Sequence, residues 1–199
     1  PIPALPPGIT WFDGKVAQAF GASQELVTEI VEEEPARMQA LVMERAALPK
    51  GQSLRTLMSG KEKAAYEQAL AASGLPSAVF DSFEPWYAAI GLSTLPLMRS
   101  GYSRELGVEQ ILDAKAAQLG QRHHGVETAA YQLDLFDSFP QPVQKRYLAE
   151  VVANLPTMSD DLARMIEAWS RGDADTLAQI MNATEDDPQL LETLLIGRN

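Results

Sequence analysis

Apolar residues recur at three- and four-residue spacings along most of the chain, which is the pattern of helices with one buried face. In the first of these helices, Val16, Ala17 and Phe20 form the predicted buried face. Pro96 is expected to kink or split the helix that Pro85 opens. The spacing, with cap and breaker residues, predicts helices over residues 13–23, 54–58, 60–72, 85 onward, 108–119, 128–139, 143–155, 160–170, 173–181 and 189–196.

Two short runs have the pattern of strands. Residues 25–31 are rich in β-branched side chains and bounded by polar ones, and residues 123–126 are short enough for a buried strand. Residues 41–43 fit a strand or a helix equally well. The proline-rich start, P-I-P-A-L-P-P-G, is expected to lie extended on the surface. The pattern therefore predicts an α+β fold that is mainly helical, with a small β-sheet and many surrounding helices.

Composition limits the classes of function. The chain has 199 residues, is 46% hydrophobic and carries a formal charge of -11, which is typical of a packed globular protein that repels nucleic acid. It contains no cysteine, so thiolate metal sites and a cysteine nucleophile are excluded. No apolar run is long enough for a membrane span. Because the first residue is Pro1, the chain is expected to be a processed product or a fragment.

Two glutamates stand near the ends of the predicted strands. Glu127 lies where the second strand passes into a helix that Thr128 can cap, and Glu29 lies near the end of the first. If the strands are parallel neighbours, both acids open onto one edge of the sheet, with carboxylates within about 10 Å of one another. They could then bind a divalent metal or share a proton.

Structural explanations compete with this hypothesis. In these explanations, Glu127 is a helix-start carboxylate stabilised by the helix dipole, and Glu29 points to solvent. Strand alternation places Glu29 on the same side as Val27 and Val31, and an acid on an apolar face needs a partner. The adjacent His123 and His124 point to opposite faces of a regular strand, so at most one of them belongs to a site.

The stretch G-V-E-T-A-A-Y-Q-L-D-L-F-D-S-F-P at residues 125–140 resembles the G-L-E-T-x-x-E-Q-x-x-x-F-x-x-L-P block of the TraB/GumN family. That family is itself similar to the TIKI metalloproteases and, more distantly, to erythromycin esterase. Further blocks agree in order, so the resemblance covers nearly the whole chain. They are A-L-P-P-G at 4–8, L-V-T-E-I at 26–30, L-P-K-G-Q-S-L-R-T-L at 48–57, E-P-W at 84–86, G-V-E at 107–109, W-S-R-G-D-A-D-T-L at 169–177 and R-N at 198–199.

The resemblance implies a single TraB/GumN-like domain over residues 1–199, incomplete at both ends, with an EreA/ChaN-like core. It implies a divalent-metal-dependent peptide hydrolase that acts on a peptide or protein substrate and is periplasmic or secreted. The metal would be manganese, cobalt or zinc, held by Glu29 and Glu127. The implied catalytic residues are Glu29, Glu127, Gln132, Arg198 and Asn199.

The chain departs from the family pattern at its histidines. Both G-x-x-H motifs of the TIKI branch are missing, with Pro3 where the first histidine is expected. Glu109 replaces the usual aspartate, and Tyr131 the usual glutamate before Gln132. We therefore expect no bound metal in this chain, and Arg198 is expected to approach one of the two acids. Besides the hydrolase, two hypotheses stay open: a non-catalytic peptide- or partner-binding domain of the same fold, and a helical module whose acidic surface recruits a basic partner.

Overall fold

A computed structural model describes residues 2–182 of the chain. The fold is α+β and mainly helical, as predicted, with a small parallel sheet between helices. The elements are α1 (Gly14–Ala22), β1 (Glu25–Thr28), α2 (Pro35–Arg45), a 3-10 turn (Leu54–Leu57), α3 (Gly60–Ala72), α4 (Pro85–Arg99), a second 3-10 turn (Arg104–Leu106), α5 (Val108–Leu119), β2 (Arg122–Gly125), α6 (Ala129–Asp137), α7 (Gln141–Asn154), α8 (Met158–Ser170) and α9 (Ala174–Asn182). The predicted helix at 189–196 lies outside the described residues.

The two strands pair in parallel, in a register that sets Leu26 opposite His123 and Val27 opposite His124. The α5 helix lies between them in the chain and packs against both strands. The first strand is shorter than predicted, because regular pairing ends at Thr28 and the chain then turns toward the proline that opens α2. Leu26 is buried, whereas Val27 is 58% exposed, so only one face of the sheet is covered by protein among the described residues.

Several helix ends follow local sequence signals. Ser59 and Glu62 form a capping box at the start of α3, and Gly120 ends α5 in the left-handed conformation with φ of 66°. Residues 41–43, which fitted either element, lie in α2. The predicted split at Pro96 is wrong, since α4 continues to Arg99. Pro96 lies in the last turn of this helix, where few hydrogen bonds depend on it.

The main core joins α3, α4 and α7. Tyr66 and Leu70 from α3 pack with Leu92 of α4 and Leu148 of α7, and all are nearly inaccessible to solvent. No helix within residues 2–182 combines the length and apolar character needed to cross a bilayer. This helical core contains no candidate site residue.

A second core contradicts the expectation for the proline-rich start. Leu5 is 1% exposed, pairs with Ser103 in an isolated antiparallel bridge, and packs in a cluster with Tyr102 and Ile166. The expected surface lead-in is therefore wrong for Ala4 and Leu5, which are buried, whereas Pro3, Pro7 and Gly8 are exposed. Its isolated apolar residues have partners about one hundred positions away, which periodicity cannot reveal.

Two other burial predictions are wrong. Val16 on α1 is 47% exposed, although it was expected to point inward. The helical spacing of Tyr131, Leu135 and Phe139 also predicts an inward face, but Tyr131 on α6 is 42% exposed. No residue of α1 is fully buried.

Candidate functional site

The carboxyl ends of β1 and β2 bring the two predicted acids together. Beyond the regular ladder, the Val126 amide donates to the Thr28 carbonyl over 3.0 Å, and the Glu127 amide donates to the Glu29 carbonyl over 2.8 Å. The backbones of Glu29 and Glu127 are thus direct neighbours at one edge of a parallel sheet. This is the arrangement expected from the strand pattern, and it is where ligands bind in open α/β sheets.

The approach of the two segments depends on Gly125. A Cβ at this position would lie 2.8 Å from the Glu127 carbonyl oxygen, 3.0 Å from the Val31 nitrogen and 3.3 Å from the Ile30 Cα. All of these are backbone atoms, so they cannot rotate away. Glycine at the end of β2 therefore allows the chain after β1 to cross it closely.

Glu127 is held by the helix that follows it. Thr128 caps α6, with its hydroxyl oxygen accepting from the Tyr131 amide over 3.1 Å. One turn further, the Gln132 side-chain amide donates to the Glu127 carboxylate over 2.9 Å. Gln132 is consequently a positioning partner of Glu127, and its own side chain lines the neighbouring cleft.

A cleft of about 210 Å³ opens beside this edge of the sheet. The charged part of its wall is mainly acidic, because four carboxylates line it against one arginine and one histidine. The charged side chains are Glu29, Glu32, Glu109, Asp113, Arg104 and His123. Glu29 is half-buried within this group, although its supposed apolar neighbours Val27 and Val31 are exposed. The argument that Glu29 lies on a buried apolar face is therefore wrong, and its burial comes from the cleft.

Glu109 anchors the start of the chain in this wall. Both of its carboxylate oxygens accept from the Ile2 amide, over 3.1 and 3.2 Å, and the Val108 amide donates to the Ile2 carbonyl over 2.9 Å. Glycine at position 107 allows the backbone of Pro3 to pack against it, since a Cβ there would lie 2.6 Å from the Pro3 carbonyl oxygen. Pro3 itself lines the cleft. The position where the resemblance expects a histidine thus faces the predicted site.

His123 has partners at both ring nitrogens. Nδ1 lies 2.8 Å from a carboxylate oxygen of Asp113 on α5, and Nε2 lies 2.7 Å from the hydroxyl oxygen of Thr28. The ring is largely enclosed, with 15% of its side chain exposed. His124 points elsewhere, is 57% exposed, and lies 4.0 Å from Glu25. Of the two histidines, only His123 belongs to the cleft.

The described residues do not fit a metal centre. Within residues 2–182, no group of three or more His, Asp or Glu side chains is arranged to hold a metal ion. The geometry explains this: Glu127 is bonded to Gln132, Glu109 is bonded to the backbone, and both nitrogens of His123 are engaged. Arg198 and Asn199, the other predicted site residues, lie outside the described part of the chain.

Sequence patterns missed Thr28, Glu32, Arg104 and Asp113 as cleft residues. Asp113 carried a usable signal, because it lies in the middle of the helix that directly precedes β2, and that helix packs on both strands. Arg104 and Glu32 carried none, since a loop and a 3-10 turn bring them to within 3.5 Å of each other.

The range that a family model matches includes the sequence blocks that contain Glu29 and Glu127. The model of the TraB/PrgY/gumN family matches residues 2–199, which is nearly the whole chain. Neither curated proteins nor solved structures gave a match.

Proposed function

Because the chain belongs to the TraB/PrgY/gumN family, we propose that its acidic cleft binds a peptide or protein substrate and that the intact protein is a peptide hydrolase. The observation that carries this proposal is the 2.8 Å hydrogen bond from the Glu127 amide to the Glu29 carbonyl. It supports a role for both acids at one end of the sheet, where α/β proteins bind ligands.

The charge of the cleft indicates the kind of substrate. Four carboxylates against one arginine and one histidine attract a cationic group, such as a peptide amino terminus or a lysine or arginine side chain. An anionic substrate would be repelled. Arg104, which is exposed and lies near Glu32, is placed to contact a peptide carbonyl or carboxylate in the same cleft.

Dependence on manganese, cobalt or zinc is part of the proposal for the intact protein only. Glu29 and Glu127 would be its carboxylate ligands, and the described residues add no imidazole that is free to join them. Catalytic zinc sites use three protein ligands, so two carboxylates are too few. The remaining ligands would have to come from outside residues 2–182.

The test compares the 199-residue chain with a longer parent form. We expect the short chain to purify without a transition metal and to show no peptidase activity with added manganese, cobalt or zinc. The longer form should hydrolyse basic peptides in the presence of metal, and Glu127→Gln should abolish this. Glu25→Gln is the matched control, because Glu25 lies on the same sheet but is exposed and outside the cleft. A longer form that works equally well with Glu127→Gln would refute the role of Glu127.

A non-catalytic binding domain is the second candidate, and one observation favours it. The candidate ligands Glu127, Glu109 and His123 are already bonded to other groups of the protein. In this case the longer form binds a basic peptide without cleaving it. Fluorescence anisotropy with a labelled peptide measures the binding, and mass spectrometry of the same sample shows whether the peptide is intact. Glu29→Gln should weaken binding, whereas Glu25→Gln should not.

A further inference from the structure

We propose that Thr28, His123 and Asp113 form a nucleophile, base and orienting acid that give the cleft a metal-independent acyl-transfer activity. The Thr28 hydroxyl oxygen lies 2.7 Å from His123 Nε2, and His123 Nδ1 lies 2.8 Å from Asp113. Both distances lie in the hydrogen-bond range found between a hydroxyl nucleophile, its base and the acid that orients the base. All three side chains line the same cleft, so a substrate can reach them.

The fold fixes this geometry from three elements. Thr28 is the last residue of β1, His123 lies on β2, and Asp113 lies on α5, which packs on both strands. His123 is largely enclosed, so its ring cannot turn freely. Asp113 is half-exposed, and it orients the ring by accepting a hydrogen bond from the Nδ1–H group. This is the role that the acid has in a catalytic triad.

The hydroxyl hydrogen of Thr28 has two acceptors within reach. It can be donated to the Ile30 carbonyl, at 2.8 Å, or to His123 Nε2, at 2.7 Å. When the ring is neutral and Nδ1 donates to Asp113, Nε2 carries a lone pair and accepts from Thr28. Rotation of the hydroxyl about its own bond is enough to exchange the two arrangements. The Ile30 bond therefore describes a resting position of the nucleophile.

The reaction follows from these positions. The Thr28 oxygen attacks the acyl carbon of an ester while its proton passes to His123 Nε2, and the protonated ring then gives that proton to the leaving alkoxide. Water attacks the acyl-Thr28 ester, again losing a proton to His123, and the released Thr28 oxygen recovers it. One ester and one water become one acid and one alcohol. The acidic wall favours neutral or cationic acyl groups, and Arg104 is the cation in the cleft that can face the oxyanion.

The experiment uses the 199-residue chain with excess EDTA, so its outcome is independent of the metal-dependent proposal. Incubation with p-nitrophenyl acetate should release nitrophenol and leave one acetyl group on Thr28, located by peptide mass spectrometry. Thr28→Val, which keeps the shape of the side chain, should abolish acetylation of this peptide, and Thr28→Ser should retain it. His123→Asn should slow acylation by about 10²-fold or more.

Controls separate catalysis from folding and from background reaction. His124→Asn matches the His123 variant on the same strand and should leave the rate unchanged. Thr56→Ala is the control for loss of a threonine hydroxyl at an exposed site outside the cleft, where the hydroxyl donates to the Ser53 carbonyl. Circular dichroism confirms that each variant is folded. The proposal is overturned if folded Thr28→Val releases nitrophenol as fast as wild type, or if a folded His123→Asn variant does.

Discussion

Replacing Gly125 by alanine tests whether the crossing of the two strand ends is as close as the structure has it. The added Cβ would lie 2.8 Å from the Glu127 carbonyl oxygen and 3.0 Å from the Val31 nitrogen. Real Cβ atoms do not approach other heavy atoms as closely as the shorter contact, so the backbone after β1 or before α6 must move. Such overpacking costs about 1–3 kcal/mol. The lower conformational entropy of unfolded alanine returns only about 0.4–1 kcal/mol.

Gly21→Ala is the matched control with the opposite expected sign. Gly21 lies inside α1, has no positive φ, and its Cβ would meet nothing within 4 Å. This variant should be more stable than wild type by about 0.5–1 kcal/mol, because alanine favours the helix. The free energy of unfolding should therefore be lower than that of wild type for Gly125→Ala and higher for Gly21→Ala.

Urea unfolding measures both effects. Tryptophan fluorescence and circular dichroism should give coincident transitions, as expected for a cooperative unit, and the midpoint should fall for Gly125→Ala and rise for Gly21→Ala. A Gly125→Ala midpoint at or above that of wild type would refute the close crossing. The shared position of Glu29 and Glu127 would then also lose its support.

Three further predictions concern the rest of the fold. Ser59→Ala removes the cap that bonds to Glu62 and should lower the free energy of unfolding by about 1 kcal/mol, with no change refuting the cap. Arg55→Ala breaks two bonds to Asp81, of 2.8 and 2.5 Å, and should lower the melting temperature; Arg55→Lys should recover only part of it, because lysine cannot make both bonds. Burial raises the pKa of Glu84, so the native state binds its proton more tightly; the contribution of this group to stability is fully present below its ordinary pKa of 4.5 and is lost as pH rises through the raised pKa. Over a pH series the melting temperature of wild type relative to Glu84→Gln should therefore fall across this range, and a constant difference would contradict it.

Helix ends were predictable because their signals are local. The bounds of α3 follow from Ser59 and from the Ser73-Gly74 pair, and α5 ends at Gly120 for the reason that glycine adopts a positive φ without strain. Each of these signals acts within one turn of the chain. The parallel pairing of the strands was only a condition of the sequence hypothesis, and the structure meets that condition, with four helices between the strands in sequence.

Burial and site membership were less predictable because they depend on distant partners. Leu5 is buried by contacts around Ser103. Asp113 lies in the cleft beside His123 of β2, which is ten residues further along the chain. Val16 has the spacing of a core residue but remains 47% exposed. Periodicity shows which face of an element is apolar, and the rest of the fold decides whether that face is covered.

The G-V-E-T block shows how one short motif combines several physical roles. Gly125 allows the crossing, Val126 extends the ladder through its amide, and Thr128 caps α6. These three residues build the passage from strand to helix and would be needed in a protein of any activity. Glu127 is the ionisable residue of this block, and the Gln132 side-chain amide donates to its carboxylate. The block is therefore strong evidence for the fold at this edge, whereas the activity of the protein depends on which side chains converge on the cleft from β1, α5 and the start of the chain.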